Sequence, residues 1–341
     1  MKNIKSKIGN AILLIALVIL TFYVIFKNND MEVILQNITQ VDIKFIFMGL
    51  GIMFLFVLGE AMNLHVVLKS LGEPIHLLQT FKYALVGFFF SSITPSSTGG
   101  QPLQVYFMTK DKIPVSHSLV ALIVELFSFQ VASCVLAWLG IIFSYDLLVA
   151  SIGKIKYLLI LGLTVNFLLV SGLLILLFSK KIALKLNHGL YAILRFIHFK
   201  KADNVYNSIL KQIDEYHDSA LFLKNHKSII VKTILISFGK LFLYHSIPYF
   251  VYLAFGLHDF TILDFVWMQA VLYISVSSLP FPGAVGVSEG SFVILFKLLF
   301  PEAILSSAML LSRGISFYIF VLITGLLILG FILAHKLKAK N

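Results

Sequence analysis

A chain of 341 residues that is 59% hydrophobic and only 13% charged cannot form a water-soluble surface, because soluble domains carry about 25% charged residues. The mean hydropathy is +0.95, and runs such as Ile12–Phe26, Leu158–Phe178 and Ser316–Ala334 approach the roughly 20 apolar residues that cross a hydrocarbon core. The composition therefore predicts an all-α polytopic membrane protein, and its formal charge of +11 reads as a topology signal rather than a nucleic-acid surface.

Lys2, Lys5 and Lys7 precede the first apolar segment, Ile8–Phe26. No small-residue cleavage site follows, so a retained helix is expected rather than a signal peptide. With an outer loop it fills residues 1–42. Phe45–Leu68 is the second span and holds Glu60 and Asn63. Phe81–Ile93 and Leu103–Met108 are each too short to cross, and between them lies SSITPSSTGG, Ser91–Gly100. Leu119–Phe143 follows, with Glu125 inside it. Leu158–Phe178 is a linking helix within residues 144–179.

Residues 180–227 are polar and basic. Ile182, Leu186, Leu190, Ile193 and Ile197 make one apolar stripe; Val205, Ile209, Ile213, Tyr216 and Ala220 make another. Both read as amphipathic helices lying on an anionic inner leaflet. Ile229–Phe255 carries Lys240 and His245. Phe265–Leu279 and Phe292–Phe300 flank a second interruption, SSLPFPGAVG, Ser277–Gly286. Ile304–Ala334 closes the series and carries Arg313.

Basic residues around the first segment, across 180–232 and in the tail place both termini in the cytoplasm. The charges balance if each interrupted zone enters and leaves on one side, the first from the cytoplasm and the second from outside. The expectation is about six full spans plus two re-entrant helical hairpins, 81–109 and 265–300, since broken backbone at membrane depth must be buried by protein or line a cavity. Residues 43–143 and 228–334 would then be an inverted repeat. Glu125 lies 26 positions after Gly99, and Arg313 lies 27 after Gly286. Paired interrupted segments of this kind point to a transporter binding site.

Ionisable groups at membrane depth need partners or water. The candidates are Glu60, Glu125, Lys240, His245, Glu289 and Arg313, with Glu125 and Arg313 expected to pair. Glu289 falls in the first turn of a helix, where it either complements the dipole or faces a headgroup. At the tips, Ser96, Ser97, Thr98, Gly99, Gly100 and Gln101, with Pro282, Gly283 and Gly286, are candidates for substrate contact. Free N–H groups there would hold a phosphate, or the hydroxyls would simply cap a broken helix. The single cysteine, Cys134, rules out an intrachain disulfide. No metal-ligand spacing or nucleophile triad is present, so no metal, other cofactor or catalytic residue is expected.

At these residues the chain resembles the lysylphosphatidylglycerol synthase transmembrane region, also called the flippase-like or UPF0104 family. The likeness is carried by TPSSTGGQPLQVYFM, VALIVELFSF, SLPFPGAVGVSEGSFVILF and the Arg313 helix, and it covers nearly the whole chain. Gln101 and Gln104 stand where the family carries an acid and an arginine, and Leu126 where arginine follows Glu125. The resemblance implies a module moving aminoacyl-phosphatidylglycerol or another polar lipid between leaflets of the plasma membrane, a process tied to antimicrobial peptide resistance. It also implies a membrane phospholipid as partner, and a separate lipid synthase, because the sequence ends at Asn341 without room for a synthase domain. The alternatives are a phosphatidylglycerol lysyltransferase-type enzyme or its membrane subunit, and a small-solute or ion carrier.

Overall fold

The computed structural model describes residues 31–94, 99–151, 153, 155–196 and 202–338. The expected first helix, Ile8–Phe26, lies outside them. Among the described residues there are helices and no strands. Among these residues five helical stretches are long and apolar enough to cross a membrane: Ile43–Ser70, Val115–Phe143, Ile155–Phe178, Lys227–Ala254 and Glu302–Phe331. The shortest has 24 residues, about 36 Å at 1.5 Å per residue, which exceeds the roughly 30 Å core. The protein is a polytopic α membrane protein.

In chain order, α1 is Met31–Thr39, α2 is Ile43–Ser70, α3 is Leu77–Ser92, α4 is Gly100–Lys110 and α5 is Val115–Phe143. Then come α6 (Tyr145–Ser151), α7 (Ile155–Phe178), α8 (Lys180–Phe196), α9 (Ala202–Asn225), α10 (Lys227–His245) and α11 (Ile247–Ala254). The series ends with α12 (Ile262–Val276), α13 (Val287–Phe296), α14 (Glu302–Arg313) and α15 (Ile319–Lys338).

The hairpin limbs α3, α4, α12 and α13 have 16, 11, 15 and 10 residues. At 1.5 Å per residue the longest reaches about 24 Å, so none crosses alone. In the first hairpin the limbs close on small residues. A side chain on Gly100 would meet Ser91 and, at 2.7 Å, the Gly87 carbonyl. In the second, a short 3-10 turn at Pro282–Ala284 carries the chain between limbs, with Gly283, Ala284 and Gly286 at positive φ. Rings hold the second hairpin's base: Phe292 stacks on Phe296 at 4.2 Å, and Phe265 meets Tyr252 and Phe300 at 4.9 and 5.6 Å.

Two expected single spans are broken. Ser246 divides Ile229–Phe255 into α10 and α11, with Pro248 in the first turn of α11, where its missing N–H is tolerated. The last span is divided by a π-helical turn, Gly314–Tyr318.

The linking helix α7 is apolar towards lipid and small or polar towards protein. Ile160, Phe167 and Leu168 are exposed, whereas Gly162 and Asn166 are buried. A side chain on Gly162 would run into the Ile274 carbonyl of α12.

The two amphipathic helices differ. On α8, Leu190, Ile193 and Phe196 are exposed; Ile197 is outside the described residues. On α9, Ile213, Tyr216 and Ala220 are buried. The Tyr216 hydroxyl donates to the Leu176 carbonyl at 3.1 Å, and Ser116 of α5 donates to Glu215 at 3.0 Å. The part of the α9 stripe formed by Ile213, Tyr216 and Ala220 therefore packs against protein rather than lying on a leaflet, a correction to the expected interfacial placement for that part of the helix.

Candidate functional site

The site begins at Gly59 in α2. A side chain there would lie 2.7 Å from Cβ of Lys240, so its absence lets α10 press against α2. Lys240 then reaches α5, where its Nζ lies 2.6 Å from Oε1 of Glu125, with the two side chains 2% and 9% exposed. Rings of Phe56 and Phe129 stand 5.4 and 5.1 Å from the ammonium and add cation–π attraction in a desolvated setting. An ionisable side chain costs at least about 2.5 kcal/mol at membrane depth, which the partner and the rings offset.

Glu60, next in α2, accepts a hydrogen bond from Nε2 of Gln104 at 2.9 Å. The same nitrogen donates to the Tyr83 carbonyl at 3.1 Å. Gln104 fits there because Gly87 has no side chain; a Cβ at that position would collide with the amide. The first hairpin therefore delivers a neutral amide to a carboxylate on α2.

A second cluster forms at the other hairpin. Glu289, in the first turn of α13, accepts from the Gly286 N–H through Oε2 at 2.7 Å. Its Oε1 accepts from Nε of Arg313 at 2.8 Å and from the Tyr318 hydroxyl at 3.1 Å. Arg313 also donates through Nη2 to the Gly283 carbonyl at 2.9 Å and lies 4.7 Å over the Phe317 ring. Arg313 thus ties α14 to the hairpin tip. Beside it, Asn166 of α7 donates to Ser277 and Ser278 at 3.2 and 3.1 Å and accepts from Gln130.

Between the clusters lies a cavity of about 280 Å³, near the lower end of small-molecule sites. Glu60, Gln104, Glu125 and Lys240 of the first cluster and Gly283 and Arg313 of the second line it, together with Gln101, Ser277, Ser288 and Ser316. Phe56, Phe129, Tyr244 and Tyr273 form aromatic walls.

The expected Glu125–Arg313 pair does not form. Each ion instead takes a counter-charge on an adjacent helix, Glu125 with Lys240 and Arg313 with Glu289. Glu289 acts as a helix-start carboxylate and ion-pair partner, with both oxygens engaged. Gly99 donates its N–H to Thr94 Oγ1 at 2.9 Å, so that donor, like that of Gly286, is used within its own hairpin. Gln101 and Gly283 line the cavity, and Pro282 opens the turn at the tip. Ser96, Ser97 and Thr98 lie outside the described residues. His245 is fully buried, and both its ring nitrogens lack a hydrogen-bond partner among the described residues; it does not line the cavity.

Sequence reasoning missed Gln104 as a site residue and treated it only as a departure from a pattern. The available signal was its spacing: Gln101 and Gln104 lie three apart, on one face of α4.

No solved structure matches this chain. A UPF0104 membrane protein of Pyrococcus horikoshii is 28% identical over 302 residues, covering 85% of this chain and 88% of that one. A UPF0104 membrane protein of Archaeoglobus fulgidus is 21% identical over 298 residues, covering 86% and 89%. The family described as the lysylphosphatidylglycerol synthase TM region matches residues 11–325. With nearly all the chain spanned by that match, and both hairpins and the charged cavity inside it, the protein belongs to this family.

Proposed function

We propose that this protein is a lipid flippase, moving a phospholipid or glycolipid with a polar headgroup between the leaflets of the plasma membrane. The observation that carries this reading is the cavity between the two hairpins. It is large enough for a headgroup and too small for acyl chains. Its lining combines charged and polar groups with aromatic rings. An amphiphile crossing a bilayer needs such a polar shelter for its head while its tails stay in lipid.

In this reading the two hairpins enter from opposite faces and form an inverted repeat, with both termini cytoplasmic. Rocking of the halves would open the cavity to one leaflet and then the other. The exposed face of α8, with Lys181, Lys185 and Arg195 beside Leu190, Ile193 and Phe196, rests on the anionic inner leaflet.

The test uses purified protein in vesicles containing a labelled phospholipid, with a membrane-impermeant quencher added outside. Flippase activity brings inner-leaflet label within reach of the quencher faster than in protein-free vesicles. An equal rate in both, with the protein shown to be folded and inserted, removes the reading.

A further inference from the structure

The two charged clusters differ in balance. At the second, one carboxylate faces one guanidinium, and Glu289 has three donors on its two oxygens. That cluster is neutral, and both oxygens of its carboxylate are engaged. At the first, two carboxylates, Glu60 and Glu125, stand against the single ammonium of Lys240, and Lys240 is bonded to Glu125. Among the described residues Glu60 has no ion pair. Its partner is the amide of Gln104, which is neutral and has a second acceptor in Tyr83.

The groups around Glu60 can be followed helix by helix. Glu125 comes from α5 and Lys240 from α10, and these are the charges that act on it. Gln104 comes from α4. On α3 the Tyr83 hydroxyl is turned away, bonded to Asp111. α11 and the π-helical turn pack against the first half of α2, where Asp42 bonds Ala254 and Gly49 meets Ile315.

An uncompensated carboxylate in a membrane-depth cavity draws in a positive charge. We infer that Glu60 is the binding site of a coupling proton, taken up from one side of the membrane and released to the other as the cavity changes its opening. This rests on the flippase reading and supplies its energy source. With Glu60 protonated, Glu125 and Lys240 cancel and the cluster is neutral, so the cavity can close over it. With Glu60 ionised, the cluster carries one negative charge and is held open to water. The carboxylate gains a proton from water on the entry side and returns it on the exit side. No other bond changes.

Two measurements separate the inference from the reading beneath it. The first imposes a pH gradient, at zero voltage, on vesicles holding the labelled lipid. For one proton per lipid, a gradient of about one pH unit biases the lipid between leaflets by up to about tenfold. Glu60→Gln keeps a hydrogen-bonding partner for Gln104 and should abolish the bias while leaving the melting curve in place. Lipid movement in the wild type that ignores the proton gradient, or follows a sodium gradient instead, overturns the inference and leaves the flippase reading intact. The second is infrared difference spectroscopy of the vesicles on acidification, which reads the C=O stretch of a newly protonated carboxyl whether or not lipid moves. The band should be missing in Glu60→Gln. In Gln104→Leu, which removes the donor to the ionised form, it should appear at higher pH. A wild-type spectrum with no such band overturns the inference. So does a Glu60→Gln protein that keeps the band or, should that variant not fold, a Gln104→Leu protein whose band appears at the wild-type pH.

Discussion

At the scale of single residues, partner choice follows from which helices are neighbours. Truncating one member of a buried ion pair leaves the other charge stranded, at a cost of about 3–5 kcal/mol. Lys240→Ala leaves Glu60 and Glu125 without a counter-charge and should lower the melting temperature strongly; Glu125→Ala should cost less, because Glu60 still faces Lys240, and the double change should cost less than the sum of the two. Glu125→Ala with Arg313→Ala should instead be near additive, because the two residues have separate partners. Thermal denaturation of the two cycles distinguishes these patterns. The sequence showed which residues must be compensated, since charge inside an apolar run stands out. It did not show by what. Lys240 meets Glu125 because Gly59 lets α10 approach, and that closeness is a property of helix packing with no mark in local spacing.

At the scale of elements, Asn166 is the point where α7 holds the second hairpin. Its amide contacts both serines at the end of α12, while Gly162 lets the helices touch. Polar contacts between membrane helices average about 0.6 kcal/mol and reach about 1.7. Asn166→Leu should therefore lower stability modestly and loosen the tip, read as faster proteolysis between Ser277 and Gly286 with the other loops unchanged. The long spans were legible from length and hydropathy, and the hairpin limbs from their shortness and Pro/Gly tips. The break at Ser246 was not, because a proline in the first turn of a following helix disturbs no hydropathy window. The fate of α9 was not legible either. An apolar stripe at helical spacing is the same whether lipid or another helix covers it, and only the placement of Tyr216 and Leu176 decides.

At the scale of the whole molecule, the proposed inverted repeat requires the two hairpins to be accessible from opposite sides. In a Cys134→Ser background, a cysteine at Thr94 should react with an impermeant thiol reagent from the cytoplasmic side, and one at Ala284 from outside. Labelling of both from a single side in right-side-out and inverted vesicles would place the hairpins in parallel. The last helix depends on another whole-molecule property, its rotational phase. The π-helical turn Gly314–Tyr318 contains one more residue than a regular turn would. Beyond it, Phe320, Thr324 and Ile328 face the protein, while Leu322, Leu326 and Leu329 face outward. Deleting one residue within 314–317 would smooth the backbone into an ordinary α-helix and turn everything after it by about 100°. Tyr318 would swing off Glu289, and the Thr324 hydroxyl would rotate out of the packed interior. A single surplus residue therefore sets the azimuth of the whole C-terminal span, and a shorter, straighter chain would present the wrong side of it to the bilayer.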